Sequence, residues 1–279
     1  KIMEIQLIKA ASYSNNSTGG PWKTIANNII ASNQTYPWTV RDDIGNSLRV
    51  NVSHGSNPNV VYNHSSNNFS IVGSLVVNSP QDGDRWVVDT VRQINWTPTG
   101  NFTNVSTIGS KDNFATNWSI NGSVVAGISG VKQIYNYTVE DYINNTVKIR
   151  VYDGNASRSA LVMDNSTGNI SIKGKISVTA PTLNETLYAN QTYQYIEWAT
   201  NGTIGNVTIR LWDGSAWYPA NVSNSTCSGP GCSGKGASTY TWQLPLNVKH
   251  EACRINISDE SDPSIYNESP NFHIRPRIN

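Results

Sequence analysis

Asparagine followed two positions later by serine or threonine recurs about two dozen times in this chain, far beyond what chance supplies. The amide nitrogen in that tripeptide is the acceptor of N-linked glycosylation. The acceptors include Asn15, Asn33, Asn51, Asn63, Asn95, Asn101, Asn104, Asn121, Asn136, Asn155, Asn184, Asn201, Asn221, Asn224, Asn256 and Asn267. A chain rich in Asn, Ser and Thr generates such triplets partly by composition. Their density still points to a glycan-coated protein outside the cytoplasm.

Other reactive residue types are sparse. His54, His64, His250 and His273 stand apart, with no nucleophile motif beside them, and no Gly-x-Ser-x-Gly, His-Glu-x-x-His or phosphate-cradling glycine loop occurs. Carboxylates cluster as Asp42-Asp43, Asp82-Gly-Asp84 and Asp259-Glu260-Ser-Asp262. Turn chemistry accounts for these clusters, because Asp bonds its own backbone there. Structural calcium is a weak further reading of the last two, and neither has EF-hand spacing. No catalysis, metal or other cofactor is expected.

Cys227, Cys232 and Cys253 are the three cysteines. The Gly/Pro loop between Cys227 and Cys232 lets its ends meet, which favours a local disulfide in an oxidising compartment. Cys253 is then the odd thiol, or it pairs with one of the two. A zinc site from these cysteines and His250 fits no established spacing. Trp212 and Trp217 flank the turn Asp213-Gly-Ser-Ala216 and offer aromatic faces to a sugar ring, or to a neighbouring domain.

Charged residues are only 14% and the net charge is +1, so nothing electrostatic favours nucleic acid or an anionic membrane. No apolar run approaches the ~20 residues of a membrane helix, and the chain, starting at Lys1, reads as a mature or excised segment whose signal and anchor would lie outside it.

The elements that position these residues repeat at about 100 residues, the size of one β-sandwich. Phe69-Ser-Ile71, Ile170-Ser-Ile172 and Phe272-His-Ile274 recur, each preceded by an alternating strand: Leu48-Arg-Val-Asn-Val52, Val147-Lys-Ile-Arg-Val151, Cys253-Arg-Ile-Asn-Ile257. Gln93-Ile-Asn-Trp96 corresponds to Tyr195-Ile-Glu-Trp198, with both tryptophans expected in cores. Tyr36-Pro-Trp38, Tyr135-Asn-Tyr137 and Tyr240-Thr-Trp242 take one place, and so do Trp22, Trp118 and Trp217. Ile2–Leu7 reads as the counterpart of Val207–Leu211, so the first copy begins at its third strand. The last residues, Ile278 and Asn279, read as the opening of another copy.

The fold class is therefore all-β: tandem Ig-like sandwiches over 1–72 (lacking its first two strands), 73–173 and 174–276, with 277–279 starting a further repeat. Joints at Val72-Gly73 and Lys173-Gly174 are so short that neighbours should be coupled in a stiff rod.

The ordered set Val-x-(Ser/Ala)-Pro, Ile-x-Trp, Val-x-Ile-x-Leu, Tyr-x-Trp and Ser-x-x-Phe-x-Ile resembles the Ig-like modules of Ser/Thr-rich cell-wall-anchored and cell-surface proteins. The third copy, Ile176 to Ile274, carries the pattern best. The middle copy departs at Tyr137 and is enlarged between Asn113 and Gly130. The resemblance implies tandem arrays in secreted proteins of bacteria and archaea, or single modules in fungal wall proteins, with structural or adhesive work. The sequon density leans archaeal. The expected protein is thus a non-catalytic extracellular filament, sheath, surface layer or adhesive stalk, partnered by copies of itself. A carbohydrate-binding adhesin using exposed tryptophans is the alternative. The chain reads as a window onto a longer polypeptide in preference to a subunit completed by another chain's strand.

Overall fold

The computed structural model describes residues 8–14, 20–30, 32–101, 103–191, 194–219, 226–227, 234–244 and 248–276. Every regular element among them is a β-strand. Frequent turn residues and period-two alternation leave no stretch with helical periodicity, so the all-β expectation holds.

The third copy shows how alternation builds a sandwich. Val207–Trp212 and His250–Asp259 pair antiparallel, from Val207 opposite Asp259 to Trp212 opposite Arg254. Trp217–Pro219, Phe272–Arg275 and Thr186–Tyr188 extend that sheet, the last pair being parallel. A second sheet of Lys175–Ala180, Gln194–Ile204 and Gly234–Trp242 faces it. Alternate residues of both sheets point inward, so Ile196, Trp198, Val207, Ile209, Leu211, Cys253, Ile255, Ile257 and Phe272 share one core. The middle copy repeats this. Asn104–Ser110 and Asn144–Asp153 head one sheet, and Ser74–Ser79, Val91–Thr99 and Gln133–Thr138 form the other. Trp96 and Trp198 are fully buried, as expected, and the Trp96 indole donates to the Ala126 carbonyl at 3.1 Å.

A serine clasp stabilises the same point of all three copies. The hydroxyls of Ser65, Ser166 and Ser269 accept from the amides of Val50, Ile149 and Ile255 at 3.3, 3.1 and 2.9 Å. The amides of these serines donate back to the carbonyls of the same three residues at 2.8 Å. The bulge between Gly45 and Leu48 recurs between Asn144 and Val147 and between His250 and Cys253. Recurrent irregularity of this kind marks a bulge as part of the repeat unit.

The first copy differs. Its described strands form one sheet, Lys23–Ile30, Ile8–Ser14, Gly45–His54 and Tyr62–His64, with Phe69–Ile71 on Gly45–His54. Val52 is 42% exposed, whereas the equivalent Val151 and Ile257 are fully buried. Tyr13, Leu48 and Ile71 make a small core beneath Trp38, whose ring lies 5.1 Å from that of Tyr13. The Tyr13 hydroxyl donates to Asp43, which Lys23 also binds. Burial, then this carboxylate, pushes the Tyr13 phenol up to about 12.

Two expectations about this copy need correcting. The strand that pairs with Gly45–His54 in the place of Val207–Trp212 is Ile8–Ser14, with Lys9 opposite His54. It is not Ile2–Leu7, which lies outside the described residues, as do 277–279. Nor does Tyr36-Pro-Trp38 take the strand place of Tyr135-Asn-Tyr137 and Tyr240-Thr-Trp242: it lies in no strand, Tyr36 is exposed and Trp38 alone packs inward.

Candidate functional site

Two features organise the surface that could do work: the joints between copies and the outer faces of the large sheets. At the first joint, Asp42 Oδ1 accepts from the Asn101 amide at 2.8 Å. At the second, Asp141 Oδ2 accepts from the Thr203 amide at 2.8 Å and its hydroxyl at 2.7 Å. Asp42 and Asp141 each stand two residues before an isoleucine, Ile44 and Ile143, that meets the next copy. Gly100 and Gly202 receive those isoleucines with φ of 101° and 82°. A β-carbon on either would lie 3.1 or 3.0 Å from an isoleucine Cδ1, so conformation and space both select glycine. Around this clasp, Asn46 Nδ2 donates to Ser157 Oγ at 2.7 Å, and Asn201 Nδ2 donates to Asp89 at 3.0 Å. Arg85 reaches the Ser264 carbonyl at 3.3 Å, and Lys173 bridges to Asp262. The Lys173 bond, with help from Ser264, holds the Asp262 carboxyl at about 2.

Each acidic turn has a carboxylate oxygen engaged by the chain's own amides or hydroxyls. Asp82 accepts from the Asn169 amide at 2.9 Å and Asp84 from the Gln81 amide at 3.0 Å. Asp259 accepts from both the amide and hydroxyl of Ser261. Among the described residues, no group of three His, Cys, Asp or Glu side chains converges as metal ligands would. No helix of the described residues is long and apolar enough to cross a membrane.

The sequons divide by exposure. Asn33, Asn63, Asn101, Asn136, Asn155 and Asn184 are exposed; Asn51, Asn104, Asn121, Asn201, Asn256 and Asn267 are half-buried. Asn95 is buried, at the floor of an open cleft it lines with Trp86, Arg92 and Asn136. Asn15, Asn221 and Asn224 lie outside the described residues. At Asn155 the sequon folds on itself, with Asn155 Oδ1 accepting from the Ser157 amide at 3.0 Å and hydroxyl at 2.7 Å.

Cys253 is removed from the disulfide candidates. It occupies the core position filled by Leu48 and Val147 in the other copies, is fully buried and is a free thiol. Burial, assisted by the charge of Asp213, pushes it up to about 11. Of the proposed Cys227–Cys232 pair, Cys232 and the side chain of Cys227 lie outside the described residues.

Trp212 and Trp217 face each other across the hairpin, ring centroids 5.5 Å apart, with the Arg254 guanidinium 5.7 Å from both. Both lie on the outer face, because Leu211 points into the core. Arg254 is held by Glu268 at 2.7 Å. Trp22 precedes Lys23, which pairs with Tyr13, and is the true counterpart of Trp217. Trp118 is not. It pairs with Gly109, one position out of register, and that slip turns its ring into the core. Gly109 takes the place of Leu211 and Tyr13, and a β-carbon there would overlap the Trp118 ring. Sequence reasoning missed both this slip and the Asp42 and Asp141 clasps. Gly109 within an otherwise apolar-alternating strand was the one available signal for the slip.

Two facing sheets around a tryptophan-anchored core, repeated along the chain, define tandem Ig-like β-sandwiches. Residues 180–274 match the Kre9/KNH-like N-terminal Ig-like domain family. No curated protein matches the chain. Among solved structures, an I-band fragment of titin is 10% identical, with 97% of this chain and 88% of that chain covered at a TM-score of 0.37. Fibronectin(III)-like modules of Clostridium thermocellum CbhA are 14% identical, with 72% of this chain and 94% of that chain covered at a TM-score of 0.23. Folds of this class serve as structural, surface and binding modules, and the function must be argued from the surfaces they present.

Proposed function

We propose that this chain is a structural extracellular module array, N-glycosylated on many of its sequon asparagines, that forms part of a surface filament, sheath, surface layer or adhesive stalk. The observation that carries the reading is the joint. The same carboxylate-to-amide clasp, glycine and isoleucine recur between first and middle and between middle and third copies. Repeated ordering contacts are what a protein under mechanical duty needs, whereas modules that only bind tolerate flexible tethers. The match of the third copy to an Ig-like domain of the cell-surface and wall type supports an extracellular place. The sequons at exposed turns supply solubility that charge does not. In this reading the partners are further copies of the same chain.

A second reading, a carbohydrate-binding adhesin, is favoured by the outward Trp212–Trp217 pair. Mass spectrometry of native material, before and after deglycosylation, tests the glycan coat: a mass equal to the bare 30.6 kDa chain removes it. Electron microscopy of native material showing only dispersed particles would refute the array. A glycan array with Trp217→Ala as control decides the adhesin reading.

A further inference from the structure

The outer faces of the first and third copies carry the same groove, and each has a sequon at its centre. In the first copy Asn51 sits between Ser12 and His64 on neighbouring strands. In the third, Asn256 sits between Arg210 and Glu268. Asn51 and Asn256 are the same position of the repeat, each followed two residues later by a lining serine, Ser53 or Ser258. The walls correspond as well: Trp22 to Trp217, Pro58 to Pro263 and Tyr62 to Tyr266. The grooves enclose about 440 and 340 Å³, within the range of small-ligand sites, but are open along their length.

In the first copy the aromatic wall is already ordered. Trp22 stacks on the His64 ring at 5.0 Å with only 2° between planes, and Tyr62 flanks His64 at 5.2 Å. Asn51 Oδ1 and His64 Nδ1 are covered by the surrounding chain and have no protein hydrogen-bond partner, so the groove offers a sugar its aromatic wall and the Asn51 amide nitrogen. In the third copy Trp217 takes the aromatic place, backed by Trp212 and Arg254.

The middle copy provides an internal control. Its residue at the sequon position is Arg150, which covers the Phe114 ring at 3.8 Å and donates to Asn165 at 2.8 Å. There, and only there among the three copies, the tryptophan of the neighbouring strand is turned into the core, as Trp118. Loss of the acceptor and loss of the outward aromatic occur together. If the tryptophan served hairpin packing alone, it would have no reason to follow the sequon.

We infer that the grooves are seats for the chain's own sugars: the glycans carried on Asn51 and Asn256 lie along their sheets, with a pyranose C–H face on Trp22 in one copy and on Trp217 in the other. The inference rests on the glycan-coat reading above and adds which acceptors are held and by what. Attachment joins the asparagine Nδ2 to C1 of the sugar and breaks the C1–O bond of a lipid-phosphate-linked oligosaccharide, the donor. One amide proton and the lipid phosphate leave. A seated sugar covers half-exposed indole and fixes the glycan's direction along the array, which a sugar at an exposed turn such as Asn155 does not.

The test compares the full chain made in its glycosylating host with the same chain made in a host lacking oligosaccharyl transfer. Site-resolved glycopeptide mass spectrometry should find Asn51 and Asn256 occupied. In glycosylated protein, Trp217→Ala with Asn256→Gln should lower Tm no further than the more damaging single change, and Trp22→Ala with Asn51→Gln should behave alike. In bare protein the same pairs should add. Where an asparagine variant fails to fold, Ser53→Ala or Ser258→Ala abolishes attachment while leaving the asparagine in place. A protein bare at every sequon overturns the glycan-coat reading. Glycans elsewhere but none at Asn51 and Asn256 overturn this inference alone, as does occupancy with additive Tm losses. Saturable binding of a free oligosaccharide to the bare chain, lost in Trp217→Ala, would assign the groove to an external ligand and overturn it too.

Discussion

Replacing Asp141 with alanine deletes one carboxylate and with it two hydrogen bonds across the second joint, to the amide and hydroxyl of Thr203 at 2.8 and 2.7 Å. A hydrogen bond to a charged group contributes about 1.5–3 kcal/mol when it is shielded. Asp141 and Thr203 are both exposed, so solvent screening reduces the pair to about 1–2 kcal/mol in total. For a sandwich-sized unit, 1 kcal/mol corresponds to a Tm shift of about 4–8 °C. Calorimetry of the whole chain should therefore show the middle and third copies melting earlier and less cooperatively with each other, while the first copy is unaffected. Small-angle X-ray scattering at room temperature should show a broader distribution of end-to-end distances, because the joint loses its directional bond while keeping its short connection. Asp141→Asn, which keeps one acceptor oxygen, should fall between. If Asp141→Ala leaves both the melting and the scattering profile unchanged, the clasp transmits no coupling. The stiffness would then have to come from the short linker alone, and the proposal built on the joints would fail.

Other perturbations reach different parts of the argument. Gly109→Ala forces the Trp118 ring out of its place and should cost about 1–3 kcal/mol by denaturant titration, with the loss reduced when Trp118 is shortened to Val in the same chain. Asp262 has a depressed carboxyl, so its contribution is present above the ordinary carboxylate range and is lost as pH falls from about 4 towards about 2. Its bond to Lys173 is partly exposed, which limits the effect to about 1 kcal/mol, and Asp262→Asn should flatten that part of the pH–stability curve. Cys253→Val should cost less than about 1.5 kcal/mol, since Val147 fills the same position, and the native thiol should react with an alkylating reagent only after denaturation.

Much of the architecture was legible because it rests on one-dimensional signals. Period-two alternation in Leu48–Val52, Val147–Val151 and Cys253–Ile257, and the buried Trp96 and Trp198, follow directly from where apolar side chains must go. The joints were hidden for a physical reason: Asp42 and Asp141 bond to backbone amides, and a sequence does not show which amide a carboxylate will meet. The misplacement of Trp118 has another cause. Sequence comparison matches tryptophan to tryptophan, but after the longer turn 111–117 Trp118 enters its strand one position out of register, and in a strand one position decides between core and solvent. Cys253 was left either as the odd thiol or as a partner of Cys227 or Cys232, because the sequence shows three cysteines but not which one the core encloses. The outer grooves were half visible, since Trp217 was singled out, but the link to Asn256 needed the sheet to bring residues 39 positions apart onto one face, as 256 and 217 show by their shared lining.

The joint geometry has a consequence for form on a larger scale. Because each clasp fixes the direction of an amide as well as its distance, it sets the twist between neighbours along with the bend. In the filament proposed above, repeating one local rotation would make a screw, with its pitch set by a handful of atoms at residues such as Asp141, Ile143 and Gly202. A small angular error at that point would be copied at every turn, displacing distant copies far more than neighbouring ones. Selection on the shape of a long object would then act on the identity of a single glycine.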